Sequence, residues 1–80
     1  METKKLVTLR MIVRPERRRD LLETMRGTLE PARVERGCLS YRLSEDVEDS
    51  NTFVLVEEWE TQKDLESHSA QTISGGYSRS

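Results

Sequence analysis

The segment TFVLVEEW, residues 52–59, constrains the fold most, because it reads as a β-strand with two largely apolar faces. Alternate side chains of a strand point to opposite faces. One face therefore carries Phe53, Leu55, Glu57 and Trp59, and the other carries two valines and a glutamate. A strand that is apolar on both faces is typical of the centre of a fold. Other parts of the protein must then cover each of its faces.

Two further strands and a first helix are predicted from changes in hydrophobic period. Residues 6–13 and 38–46 alternate with the two-residue period of strands, and the acidic segment EDVEDSN makes the second of these a hairpin with the apolar strand. From Glu16 to the low thirties, leucines and a methionine recur at helical spacing instead. Pro31 predicts a kink or a tightened last turn there, because an interior proline removes a backbone hydrogen bond. Gly37 follows as a residue suited to positive φ.

A second helix is predicted after the apolar strand. Thr61 can cap it, so the helix should begin at the next residue, with Leu65 and His68 on its inner stripe. Residues 74–80, SGGYSRS, lack apolar periodicity and are expected to form a flexible tail. The sequence therefore predicts one folded domain over residues 1–73, followed by that tail.

The predicted order of elements is strand, helix, strand, strand, helix. That order is typical of a ferredoxin-like α+β fold, in which an antiparallel sheet carries two helices on one face. The opposite face still needs a cover, and the simplest cover is a second copy of the same sheet. We therefore expect a homodimer through the sheet faces, which is a dimeric α/β barrel. A partner would also stabilise so short a chain, because it buries only about 60% of its unfolded surface.

Charge and composition exclude several classes of function. Thirteen basic and fifteen acidic residues are interleaved, with a net charge of −2, so nucleic acid is not an expected partner. The arginine run 17–19 is expected to form a solvated helix face. No segment approaches the ~20 apolar residues of a membrane span, and no signal peptide is recognisable, so we expect no membrane partner and a cytoplasmic location. The single cysteine, Cys38, is interpreted as a small core residue and not as a nucleophile.

A set of residues across the chain resembles a known family. The matching positions are Gly37, Cys38, Leu39, Tyr41, Phe53, Glu57, Trp59, Leu65 and His68. With the acidic turn, they resemble the antibiotic biosynthesis monooxygenase (ABM) domain, the quinol monooxygenase-like family of dimeric α/β barrels, over roughly residues 5 to 70. The resemblance implies a fold more firmly than an activity. The family includes cofactor-independent oxygenases of quinols or polyphenols, haem-degrading relatives and an isomerase of a signalling sugar.

One departure from the family concerns its fourth strand. Members normally carry a longer tail with a strand that lies beside the first strand, whereas this sequence finishes in glycine and serine. We therefore expect the fourth strand to be missing or atypical. The edge of the first strand would then stand open for pairing with another strand.

The resemblance directs attention to Trp59 and His68, the only tryptophan and the only histidine. His68 could act as a general base toward a phenol or quinol, because imidazole titrates near neutral pH, or could bind a haem iron. Trp59 could stack on an aromatic substrate and form a pocket wall. Both side chains also have a structural interpretation, as packing between the second helix and the sheet. Haem degradation is disfavoured, because the family's asparagine on the first strand has no counterpart in LVTLRMIV.

Three more residues complete the predicted site. Glu57 shares a face with Trp59, where a buried carboxylate needs a partner, and Arg10 or Arg42 on a neighbouring strand could form an ion pair with it. Tyr41 could direct its hydroxyl group into the pocket. One histidine and one cysteine cannot form a metal site within one chain, so we expect no metal and no other cofactor.

Two functions of different class remain open. The first is a cofactor-independent monooxygenase of a quinol or polyphenol, with His68 catalytic and Trp59, Glu57, Tyr41 and Arg10 binding the substrate. The second is a non-catalytic dimeric module that binds a small molecule or a partner. A pocket that reaches the histidine, with another polar group nearby, favours the first function. A region that is packed shut favours the second.

Overall fold

The computed structural model of the protein describes residues 3–72. In chain order its elements are β1 (Lys5–Ile12), a single 3-10 turn (Pro15–Arg17), α1 (Arg18–Arg33), β2 (Cys38–Asp46), β3 (Asp49–Trp59) and α2 (Gln62–Thr72). The order predicted from the sequence is therefore confirmed. The predicted tail, residues 74–80, and the domain boundary at 73 lie outside the described residues.

The three strands form one antiparallel sheet in the order β1-β3-β2. The strand that is apolar on both faces is thus the central one, as a strand with neighbours on both edges should be. Two helices accompany this sheet, α1 over β2 and α2 over the end of β3, which is the predicted ferredoxin-like α+β arrangement. Within residues 3–72, no fourth strand pairs with the outer edge of β1.

Helix α1 is tied to the far end of the β2–β3 hairpin by one arginine. The helix is preceded by a 3-10 turn with Pro15 at its start, where a missing backbone N–H does no harm. Arg18 Nε then donates to the carbonyl oxygen of Ser50 at 2.8 Å, and its Nη2 lies 2.6 Å from Glu45 Oε1. The solvated face predicted for the arginine run is therefore wrong for Arg18, which is half-buried because it bridges helix and hairpin.

The chain makes a tight turn where α1 ends. Pro31 lies in the last turn, and the Glu35 N–H donates to the Ala32 carbonyl at 3.1 Å, a three-residue spacing that tightens the chain as predicted. Gly37 has the expected positive φ, at 81°. A Cβ atom there would overlap the Asp64 carboxylate, so glycine is required both for its backbone conformation and for the space.

The core lies between the helices and one face of the sheet. Its buried apolar side chains are Met25, Ala32, Tyr41, Leu55 and Trp59. Strand β2 contains an irregularity between Cys38 and Ser40, so that Cys38 lies opposite Trp59 instead of on the other face, where simple alternation placed it. Cys38 packs against this core, as its interpretation as a core residue required.

The other face of the sheet is open in the single chain. Leu6 is 64% exposed and Ile12 is 67% exposed, and both lie on the side opposite the core. Val54 and Val56 of the central strand share this face and are half-buried between β1 and β2. Among the described residues, no helix is long and apolar enough to cross a membrane.

Candidate active site around His68

The candidate site lies where α2 meets the end of β3. Thr61 Oγ1 accepts a hydrogen bond from the Asp64 N–H at 3.1 Å, which is the predicted cap and makes the helix begin at Gln62. His68 follows on the inner side of this helix and is 8% exposed. Trp59, the last residue of β3, is fully buried beneath it. The cap thus fixes where the imidazole lies relative to the strand.

Two aromatic rings hold the imidazole of His68. The Trp59 ring stacks on it, with ring centroids 4.8 Å apart and an interplanar angle of 30°. The Tyr41 ring meets it edge on, with centroids 5.4 Å apart and an angle of 70°. Such contacts restrict the ring to one orientation. Three side chains predicted from the sequence as site residues are therefore brought together, on α2, β3 and β2.

Two carboxylates lie on either side of the same imidazole. Nδ1 of His68 is 2.9 Å from Glu35 Oε1, a hydrogen-bond distance. Nε2 is 4.0 Å from Glu57 Oε1, which is too long for a hydrogen bond but close enough for charge attraction when the ring is protonated. The imidazole thus lies between two carboxylates, one at each ring nitrogen.

Glu57 is buried and has a partner that differs from the one predicted. It is 8% exposed, and its Oε1 accepts a hydrogen bond from Trp59 Nε1 at 3.0 Å. The predicted ion pair with Arg10 or Arg42 is wrong, because these arginines lie opposite Val54 and Val56, on the other face of the sheet. The structure therefore does not bring Arg10 to the group formed by the other predicted site residues. The buried carboxylate is satisfied by an indole and lies near an imidazole instead.

Glu35 is a site residue that the sequence does not predict. It lies in the loop between α1 and β2, thirty-three positions from His68 in the chain. No periodicity assigns a loop residue to a face, so only its place two residues before Gly37, in the segment ERG, could have drawn attention to it. Its side chain is 21% exposed and so joins the buried ring to the protein surface.

Other chemistries have little support in this region. Burial is the main reason that the pKa of the Cys38 thiol is raised, and the nearby Glu35 and Glu57 charges raise it further. A raised pKa disfavours the thiolate form, in agreement with a structural role for this cysteine. Among the described residues, no group of three histidine, cysteine or acidic side chains could hold a metal ion.

A surface cleft adjoins the site. It has a volume of about 470 Å³ and is lined by Glu35, Arg36, Glu60, Thr61, Lys63, Asp64 and Ser67. Its lining is mainly polar, and His68 is not part of it. Glu35 is the residue that both lines the cleft and contacts the imidazole. The histidine is therefore neither open to bulk solvent nor enclosed only by apolar side chains.

Known proteins resemble this chain in sequence and in fold. YcnE of Bacillus subtilis, provisionally named a monooxygenase, is 34% identical over 56 residues, which are 70% of this chain and 59% of YcnE. The uncharacterised protein sll1783 of Synechocystis is 32% identical over 56 residues, 70% of this chain and 38% of that protein. The chain thus spans less than two thirds of either relative.

A solved structure with a similar sequence also has the same fold. The crystal structure of PA3566 from Pseudomonas aeruginosa superposes with a TM-score of 0.79 at 30% identity, covering 95% of this chain and 76% of that one. The family described as antibiotic biosynthesis monooxygenase matches residues 6–73, which include all of the described strands and helices except Lys5, and the His68 group. The chain therefore belongs to the antibiotic biosynthesis monooxygenase family.

Proposed function

We propose that the protein is a cofactor-independent monooxygenase that acts on a quinol or a polyphenolic aromatic substrate. Membership of the family and the name of YcnE support a monooxygenase-like function. The observation that carries the proposal is the His68 imidazole, which is held by two aromatic rings and hydrogen-bonded to a carboxylate. That arrangement suits a general base, because the ring is oriented and a positive charge on it is balanced.

The proposed reaction needs one proton acceptor and one oxidant. A substrate hydroxyl group gives its proton to His68, and the resulting phenolate is electron-rich enough to reduce dioxygen itself. One oxygen atom enters the ring of the substrate, and the other leaves as water with the hydrogens removed from the substrate. Trp59 and Tyr41, which are buried, would hold the imidazole in its orientation, and Glu57 would balance charge beside it.

Oxygen uptake tests this proposal directly. The assay presents the protein with quinols and hydroxylated naphthalenes and compares the parent with His68→Ala and with Ser69→Ala, which alters an exposed neighbour on the same helix. Loss of a general base is expected to reduce the rate by ~100-fold or more, whereas the serine variant should match the parent. A folded His68→Ala variant that turns over at the parental rate would make the histidine a bystander.

We also propose that the working form is a homodimer in which a second copy covers the open face of the sheet. Leu6 and Ile12 are more than half exposed there, beside the half-buried Val54 and Val56. These apolar side chains share the face with Arg10 and Arg42, and they would be stabilised where a matching face removes them from water. A stable monomer at micromolar concentration in sedimentation equilibrium would contradict the dimer.

A non-catalytic binding module of the same fold is the second candidate. The observation that favours it is the packing of His68, which is 8% exposed and does not line the surface cleft. A module would bind quinols, detected through the fluorescence of the single tryptophan, and consume no oxygen. Binding without oxygen uptake would therefore favour the module, and uptake that depends on His68 would favour the enzyme.

A further inference from the structure

The loop that carries Glu35 is fixed in place by its backbone. The Glu35 N–H donates to the Ala32 carbonyl at 3.1 Å, and the Glu35 carbonyl accepts from the Cys38 N–H at 3.1 Å. The Gly37 carbonyl accepts from the Glu60 N–H at 2.7 Å, which ties the loop to the chain just before α2. Because these backbone groups are paired, the direction in which the Glu35 side chain leaves the loop is set by the fold and not by chance.

The approach of this loop to α2 brings the carboxylate to the imidazole. Gly37 lies directly against Asp64, and a side chain larger than hydrogen would overlap it. Asp64 and His68 are four residues apart and so share one stripe of the helix. The loop thus contacts the same stripe twice, with Gly37 at the first turn and Glu35 one turn further along, at His68 Nδ1.

The chemistry of this contact decides which ring nitrogen is protonated. An ionised carboxylate can only accept hydrogen bonds, so a carboxylate 2.9 Å from Nδ1 requires the proton on Nδ1. The neutral ring then has its lone pair on Nε2, on the side of Glu57. Nε2 is the nitrogen that a base would use, and a proton gained there gives an imidazolium whose charge Glu35 offsets.

We propose that Glu35 is the positioning residue of His68, which it holds in the Nδ1-protonated form so that Nε2 accepts the substrate proton. This proposal rests on the proposed function for its catalytic consequence. The structural part of the proposal, which is the protonation state of the His68 ring, does not depend on that function. Glu35 also lines the surface cleft, so its carboxylate lies between the buried ring and water.

The nitrogen NMR signals of the imidazole test the structural content. The chain has one histidine, so in untagged protein the ring signals come from His68 alone. We expect the neutral ring of the parent to show a protonated Nδ1, and Glu35→Ala to shift the ring toward the Nε2-protonated form. Glu60→Ala removes another carboxylate of the same cleft and should leave the signals unchanged. Retention of the parental form in folded Glu35→Ala would overturn the proposal.

A second variant covers the case in which the alanine variant does not fold. Glu35→Gln keeps the shape of the side chain but offers a neutral, weaker acceptor. Its Nδ1 proton should therefore exchange with water faster than that of the parent, and an unchanged exchange rate would also overturn the proposal.

The activity assay separates this proposal from the proposed function. If the parent oxidises quinols, Glu35→Ala should lower kcat by ~10-fold or more with little change in KM, because the group that orients the base is lost while the substrate contacts stay. If the parent shows the expected ring form but consumes no oxygen, the positioning role stands and the monooxygenase function falls. If the parent is active and Glu35→Ala keeps its kcat, the positioning role falls and the function stands.

Discussion

The two faces of the sheet share the central strand β3 but differ in what they bury. On the covered face, Trp59 is fully buried and the polar groups of Glu57 and His68 are each 8% exposed. On the open face, Leu6 and Ile12 are 64% and 67% exposed. The covered face therefore holds buried polar groups that must satisfy one another. The open face holds exposed apolar side chains, beside Arg10 and Arg42, that have no cover within residues 3–72.

This difference shows where single substitutions should act on folding and where they should act on association. Buried polar side chains are tolerated only when their hydrogen bonds are made, so the covered face depends on a fixed geometry. Apolar groups on a flat surface depend on the presence of a partner and so on protein concentration.

Trp59→Ala should have the largest effect. It removes a fully buried ring, the stack on His68 and the hydrogen-bond donor of Glu57. We expect the free energy of unfolding to fall by ~3–5 kcal/mol, measured by urea unfolding with circular dichroism as the signal. Trp59→Phe keeps most of the apolar volume and removes the donor, so it should lose a smaller amount, ~1–3 kcal/mol. Equal losses in the two variants would show that packing alone matters here.

Val54→Asp tests the open face and should have the next largest effect. Val54 lies at the centre of that face, opposite Arg10, and even a paired carboxylate there would have to lose its hydration if a second copy covers the face. We expect dissociation of the dimer and a loss of ~2–4 kcal/mol in the stability of the assembly, followed by sedimentation equilibrium across a range of concentrations. Ser69→Asp places the same charge on an exposed helix position and should leave the mass unchanged. A Val54→Asp protein with the parental mass would rule out this face as the interface.

Gly37→Ala tests the loop that positions Glu35 over the covered face. The left-handed backbone and the overlap with Asp64 should destabilise the protein by ~1–2 kcal/mol. Gly27→Ala is the matched control, because that glycine lies inside α1 with open space around it, and the change should stabilise the helix by ~0.5–1 kcal/mol. Thermal unfolding of both variants is the measurement. A neutral Gly37→Ala variant would show that the loop does not need this approach.

Asp49 gives the smallest effect, at the hairpin end of the sheet. Its pKa is held below the usual range by hydrogen bonds from the Asn51 backbone N–H and from the hydroxyl of Thr52, which is 1% exposed. A carboxyl group with a lowered folded-state pKa stabilises the protein above its unfolded pKa and loses that contribution as pH falls through the folded pKa. Asp49→Asn should therefore be less stable than the parent at neutral pH, with a difference that shrinks in acid. A difference that grows in acid would contradict the assignment.

The elements of the fold were predictable because each of their signals is local. The apolar period places β3 and α1, the Thr61 side chain starts α2, and Gly37 takes the positive φ that its position suggested. The register in which β1 pairs with β3 has no such local signal, because it joins residues that lie far apart in the sequence. Since both faces of these strands carry apolar side chains, alternation could not tell which side of β1 would share a face with Glu57. The sequence therefore predicts Arg10 at the site, although its side chain belongs to the open face.

The sequence by itself determined the order of the elements, the family and the three side chains His68, Trp59 and Tyr41 that meet at the site. Only the tertiary structure decided what surrounds them. A bulge moves Cys38 to the side of Trp59, and a loop that carries no periodic signal brings Glu35 to the imidazole. The physical reason is that hydrophobic period and capping act within a few residues, whereas the partner of a buried charge is chosen by which distant segments the packed core brings within hydrogen-bond distance.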